Sequence, residues 1–110
     1  MNFDDYQISC KSTAVFPGKD KGDLIYPVLG LCGEAGEVAE KLKKLIRDKN
    51  NIRDKEFMDE IKKELGDVLW YVATICTSLN FGMEDVARTN IIKLLDRKKR
   101  NKLQGNGDYR

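Results

Sequence analysis

The sequence predicts an all-α protein, a four-helix bundle-like domain whose second and third helices form an antiparallel hairpin. Three observations lead there. Two long stretches, 24–47 and 54–79, place apolar residues at steps of three and four. No stretch alternates apolar and polar residues as a half-buried strand does. The breaks between periodic stretches are short and marked by Pro, Gly or Asn.

The first helix is expected from Phe3 to about Phe16, closed by Pro17-Gly18 and the charged turn Lys19–Asp23. The second runs from Leu24 to about Arg47 through Leu24, Val28, Leu31, Cys32, Ala35, Val38, Ala39, Leu42, Leu45 and Ile46. Pro27 fits it because a first-turn amide has no helical partner to lose. Asp48–Asn51 is a turn. The third helix spans Asp54 to Leu79 through Phe57, Met58, Ile61, Leu65, Val68, Leu69, Val72, Ala73 and Cys76, and Asn80-Phe81-Gly82 ends it. A fourth begins near Met83, carries Val86, Ala87, Ile91, Leu94 and Leu95 on its apolar side, and frays into a polar tail at about 103–110.

Composition narrows the chemistry. A chain of 110 residues is one domain, 1–110, with limited capacity to bury surface alone. A net charge of +2 gives no bulk attraction for a nucleic acid polymer, and no apolar run approaches the ~20 residues of a membrane span. With no leader pattern and three scattered cysteines, Cys10, Cys32 and Cys76, set in apolar helical patterns, a cytoplasmic protein with reduced, core-filling thiols is expected. Histidine is absent, which excludes Ser-His and Cys-His nucleophiles and the usual zinc sites. Acid–base work falls to carboxylates, lysines and tyrosines.

Two acidic phrases stand out, Glu34-Ala-Gly-Glu37 and Glu64-Leu-Gly-Asp67. Each puts two carboxylates one helical turn apart on one face. If the hairpin turn is centred between Asn50 and Asn51, Glu34 is level with Asp67 and Glu37 with Glu64. At about 100° per residue all four flank the apolar stripe on the same side of the pair. Four carboxylates bordering one groove repel unless a cation or proton sits among them, and an all-oxygen donor set favours Mg²⁺ or Mn²⁺. The metal ligands expected are Glu34, Glu37, Glu64 and Asp67. Gly36 and Gly66 inside the phrases point to close helix approach or ligand access. Taken singly, the glutamates also suit a solvated face, with Glu37–Lys41 and Glu40–Lys44 as i,i+4 ion pairs.

The segment Leu29-Gly-Leu-Cys-Gly-Glu34-Ala-Gly-Glu37-Val-Ala-Glu40-Lys41, followed by Lys63-Glu64-Leu-Gly-Asp67-Val-Leu-Trp70-Tyr71, resembles the MazG-like all-α nucleoside triphosphate pyrophosphohydrolases. The similarity extends from Thr13–Pro17 through Asn90-Ile-Ile-Lys93-Leu to the Gly105-Asn-Gly-Asp-Tyr-Arg ending. The resemblance implies Mg²⁺ on ExxE and ExxD, and hydrolysis of an NTP or dNTP between the α and β phosphates to NMP and pyrophosphate. Nucleotide-pool cleansing and a homodimer or homotetramer follow from the same likeness. Glu37 and Glu64, nearer the turn, are the candidates for general base. Phosphoribosyl-ATP pyrophosphohydrolase shares this fold and chemistry, and a non-catalytic metal-binding or interaction module is the alternative of another class.

The resemblance also places Asn90 and Lys93 at the substrate, and spacing alone adds Arg97, with Arg100 continuing the row. Lysine and arginine there would meet phosphate oxygens. The Gly-x-Gly-Asp-x-Arg ending could order over bound nucleotide through Asp108 or Arg110, or be a loose terminus. Trp70 and Tyr71 adjoin Asp67, with Trp70 better suited to core or interface than to stacking a base.

Overall fold

The structure is a computed structural model and describes residues 1–110. It contains four α-helices and no strand: α1 (Phe3–Lys11), α2 (Ile25–Asp48), α3 (Lys55–Ser78) and α4 (Met83–Lys99), with a single 3-10 turn at Lys19–Lys21.

The first helix is shorter than its apolar pattern implies and stops at Lys11. Its last turn tightens, with the Thr13 amide donating to the Cys10 carbonyl at 3.1 Å rather than one residue further back. The Thr13 hydroxyl accepts a 2.8 Å hydrogen bond from the Trp70 indole, which draws the chain onto α3. Residues 13–23 then cross the surface and turn at Gly18 and Gly22, whose φ of 81° and 67° suit glycine.

The hairpin of α2 and α3 is the frame of the molecule. Each helix has 24 residues, about 36 Å at 1.5 Å per residue. Asn50 and Asn51, with φ of 51° and 60°, make the turn, and asparagine is the residue after glycine that best tolerates this region. The Asp54 side chain caps α3 by accepting from the Phe57 amide at 2.8 Å. The register follows the sequence expectation: Lys41 and Glu60, equidistant from the Asn50–Asn51 bond, form an ion pair at 3.2 Å.

At the far end of α3, α1 and α4 pack over a small core of Cys10, Ala73, Cys76 and Met83, with Tyr6, Trp70 and Val72 against it. Buried Gln7 ties this end together. Its amide donates to the Thr77 hydroxyl at 3.1 Å and the Phe81 carbonyl at 2.9 Å, while its oxygen accepts from the Met83 amide at 2.8 Å. The starts of α1 and α4 also cap each other, Phe3 amide to Glu84 carboxylate at 3.0 Å and Glu84 amide to Asp4 carboxylate at 3.2 Å.

Two local expectations change. Cys10 and Cys76 fill core as expected, but Cys32 is exposed, because it sits on the face of α2 that nothing in the chain covers. The polar ending does not fray: residues 101–110 fold back along α4, held by arginine-to-carbonyl bonds described below. No helix is long and apolar enough to cross a membrane.

Candidate functional site

The hairpin brings carboxylates from both helices together. Glu34 of α2 and Glu64 and Asp67 of α3 each place a carboxylate oxygen within 4.8 Å of the other two. Glu34 and Glu64 are half-buried and Asp67 is exposed. Glu34 registers the crowding, since its carboxyl is pushed above the ordinary value by desolvation first and then by the negative charges of Asp67, Glu64 and Glu37. One cation borders the group: the Lys41 ammonium, 3.9 Å from Glu64 and 3.2 Å from Glu60.

Glu37, expected as the fourth member, stands outside the triangle. It is exposed, one turn along α2, close enough to act on Glu34 electrostatically but not to share its oxygens' neighbourhood. Its expected i,i+4 pair with Lys41 does not form, because Lys41 leans across the hairpin to α3. Glu40 does pair along its own helix, at 3.0 Å with Lys43 and 3.8 Å with Lys44.

The glycines of the acidic phrases face open space. A Cβ built at Gly33, Gly36 or Gly66 meets nothing within 4 Å, so these residues do not serve close approach of α2 to α3. Close approach occurs one turn earlier, at Gly30, where any Cβ would run into the Tyr71 ring. That contact sets Tyr71 beside the carboxylates, and its phenol is pushed up by burial, then by Tyr26, Glu34 and Asp67. Tyr6 of α1 approaches the same group. Its phenol rises to about 12 through burial first, then through Cys10 and the Asp67 charge.

Sequence reasoning named Tyr71 as a neighbour of Asp67 and missed Tyr6, Tyr26 and the cross-hairpin role of Lys41. Tyr6 has no local signal, since its placement depends on α1 crossing α3. Lys41 could have been found by the same level-matching that paired Glu34 with Asp67. Tyr26 stacks flat on Phe16, ring centroids 5.0 Å apart at 2°, at the entrance of α2. Trp70 packs against the α1–α3 core, as its better-suited reading had it.

The basic residues of α4 are engaged with the chain's own ending. Asn90 is exposed. Lys93 pairs with Asp108 at 3.2 Å. Arg97, expected as a phosphate ligand, is turned inward: its side chain is 5% exposed and donates to the Asp108 carbonyl at 2.7 Å. Arg100 pairs with Asp96 at 2.8 Å and donates to the Arg110 carbonyl at 2.7 Å.

The family model for the MazG nucleotide pyrophosphohydrolase domain matches residues 26–101, a span that contains both acidic phrases and the row on α4. The chain is also 44% identical over 114 residues to the Gene 37 protein of Mycobacterium phage L5, with 100% of each chain covered. No solved structure matches the chain. With the acidic hairpin in place and the family match spanning α2 to α4, the chain belongs to the MazG nucleotide pyrophosphohydrolase family.

Proposed function

We propose that the protein is a divalent-cation-dependent nucleoside triphosphate pyrophosphohydrolase, cleaving an NTP or dNTP between the α and β phosphates to NMP and pyrophosphate in nucleotide-pool cleansing. The observation that carries this reading is the convergence of Glu34, Glu64 and Asp67 from two helices, with Lys41 as their only paired cation. Three carboxylates this close are a net cost to the fold unless a cation offsets the repulsion. The residues present fit a hard divalent ion: every donor is oxygen, the oxygens are near enough to share one ion, and open space lies over Gly33, Gly36 and Gly66. Mg²⁺, or Mn²⁺ in its place, would be held by Glu34, Glu64 and Asp67.

Such an ion, when bound, neutralises phosphate oxygens and acidifies a nearby water. The chain supplies the rest. Lys41, 3.9 Å from Glu64 and 3.2 Å from Glu60, restrains the Glu64 carboxylate across the hairpin. Glu37, which holds no ion pair and stands one turn from the triangle, accepts the proton of the water that attacks the α-phosphorus. The bond from that phosphorus to the bridging oxygen breaks, and pyrophosphate leaves with the oxygen. Asn90 and Lys93 bind the sugar and phosphates.

The working form we propose is a homodimer or homotetramer. Only 11 of 110 residues are buried, and the accessible surface is 8298 Å², against about 6,200 Å² for a compact monomer of this mass. The radius of gyration of 16.9 Å likewise exceeds the ~13 Å of a compact chain of this length. Leu42, Ile46, Met58, Leu65 and Leu69 of the hairpin lie exposed and give a second copy an apolar face to cover.

The test is incubation with a panel of NTPs and dNTPs, with and without Mg²⁺, in ¹⁸O-labelled water. The expected products are pyrophosphate and an NMP carrying the label. Orthophosphate as first product, label in pyrophosphate, or turnover indifferent to chelator contradicts the reading.

A further inference from the structure

Residues 101–110 form an arch along α4 that is fastened chiefly by guanidinium groups. The Arg97 side chain, buried against it, donates from Nη2 to the carbonyls of Asp108 at 2.7 Å and Gly107 at 3.5 Å, and to the Asp108 carboxylate at 3.4 Å. Arg100 holds the final carbonyl at 2.7 Å, and Arg110 reaches back to the carbonyls of Leu103 at 3.0 Å and Lys102 at 3.3 Å. Gly105 and Gly107, at φ of 124° and 82°, make the bends, so the Gly-x-Gly spacing is a backbone requirement of the arch. All of the arch after Asn101 lies beyond the residues matched by the family model, which end at 101.

Burial separates the roles of its charges. Arg97 is 5% exposed at the side chain, whereas the Asp108 carboxylate it helps to place is 76% exposed and Lys93 is 39% exposed. A buried guanidinium is costly unless it is hydrogen-bonded, and here the carbonyls of Asp108 and Gly107 take Nη2. Arg97 is therefore committed to the arch, and Lys93 is the cation that a solvent-borne phosphate can reach.

We infer that Arg97 is a positioning residue: it clamps the C-terminal arch to α4 so that Asp108 stands against Lys93 and presets that ammonium for a phosphate group of the substrate. The inference rests on the proposed reading of Lys93 as a phosphate ligand. An exposed Asp–Lys pair is weak and exchangeable, so Asp108 steers the lysine without withholding it from a triphosphate of higher charge. Lysine at position 97 lacks the planar guanidinium whose Nη2 reaches two carbonyls and a carboxylate.

Two measurements on the full chain test this: hydrogen exchange across residues 101–110, and calorimetric binding of Mg²⁺-tripolyphosphate, with kcat and KM for a hydrolysed triphosphate alongside. Arg97→Ala is expected to speed exchange of the arch about tenfold or more and to weaken tripolyphosphate binding and raise KM about five- to tenfold, with kcat within about twofold. Arg97→Lys should recover little of either. Asp108→Asn should leave the arch protected yet weaken binding about two- to threefold. Should Arg97→Ala fail to fold, Gly105→Ala strains the arch from outside α4 and is expected to give the same paired loss. An arch that stays protected in Arg97→Ala, an arch that loosens with binding unchanged, a dominant fall in kcat, or a wild type that does not bind tripolyphosphate overturns the inference. A wild type that binds tripolyphosphate with these variant effects but hydrolyses no nucleotide removes the hydrolase reading and leaves the clamp standing.

Discussion

The two charged regions of this molecule are built in opposite ways. On the hairpin, Glu34, Glu64 and Asp67 crowd together with only Lys41 against them, and the glycines around them open onto empty space. On α4, Lys93 and Arg97 meet their counter-charge within the chain, in Asp108, under an arch of the molecule's own ending. The first region is a repulsion that within the chain only Lys41 offsets, and the second is paired within the chain. The crowded carboxylates are what support the proposed cation site, whereas on α4 the buried Arg97 is held by the arch and the exposed Lys93–Asp108 pair stays exchangeable.

The sharpest way to break this contrast is to neutralise the hairpin. Glu64→Gln or Asp67→Asn should lower kcat/KM by about 10²-fold or more at saturating Mg²⁺, since a lost ligand removes several kcal/mol of charge stabilisation. The same variants should leave the metal-free melting temperature unchanged or raised, because each removes one member of a repelling set. A variant with near wild-type turnover would return that carboxylate to an ordinary solvated face.

The glycines sharpen it next. Gly30→Ala should cost about 1–3 kcal/mol by denaturant titration, because the new methyl displaces the Tyr71 ring from its seat between α2 and the carboxylates. Gly36→Ala should do the reverse, gaining about 1 kcal/mol by helix propensity where no neighbour objects. A Gly36→Ala protein more stable yet slower would place the bound substrate or cation over that glycine.

The smallest effect concerns the turn that aligns the two acidic phrases. Accepting the Phe57 amide, then pairing with Lys49, holds the Asp54 carboxyl below the ordinary value. A depressed folded-state pKa contributes stability that is full above the ordinary carboxylate value and is lost as the pH falls through the depressed one. Asp54→Ala should therefore lower the melting temperature at pH 7, and the gap to wild type should close as the pH drops below the ordinary carboxylate range. A gap that persists in acid would assign the loss to something other than the ionised cap.

These regions also differ in how far the sequence reveals them. The hairpin was legible because periodicity gave two helices, two asparagines gave the turn, and level-matching then followed from geometry alone. The Lys41–Glu60 bridge obeys that matching, and Glu34, Glu64 and Asp67 meet as it requires. Glu37 escaped it because sharing a flank does not fix a rotamer, and an exposed glutamate has no packing to hold it inward. The arch was not legible. Arg97 has the spacing of a phosphate ligand, and only the fold of residues 101–110 turns it inward, through contacts that no periodic pattern encodes. The end of α1 was misplaced for a related reason: the Thr13–Trp70 bond, between residues far apart in sequence, overrides a local apolar pattern.

The most direct measurement is Mn²⁺ binding to the metal-free protein, followed by electron paramagnetic resonance and competed with Mg²⁺, in wild type and in Glu34→Gln. The account predicts saturable binding in wild type, displaced by Mg²⁺ and weakened at least tenfold by the substitution. Wild-type protein that leaves Mn²⁺ free, or a Glu34→Gln protein that binds it equally well, would contradict the claim that this crowded triangle is a cation site.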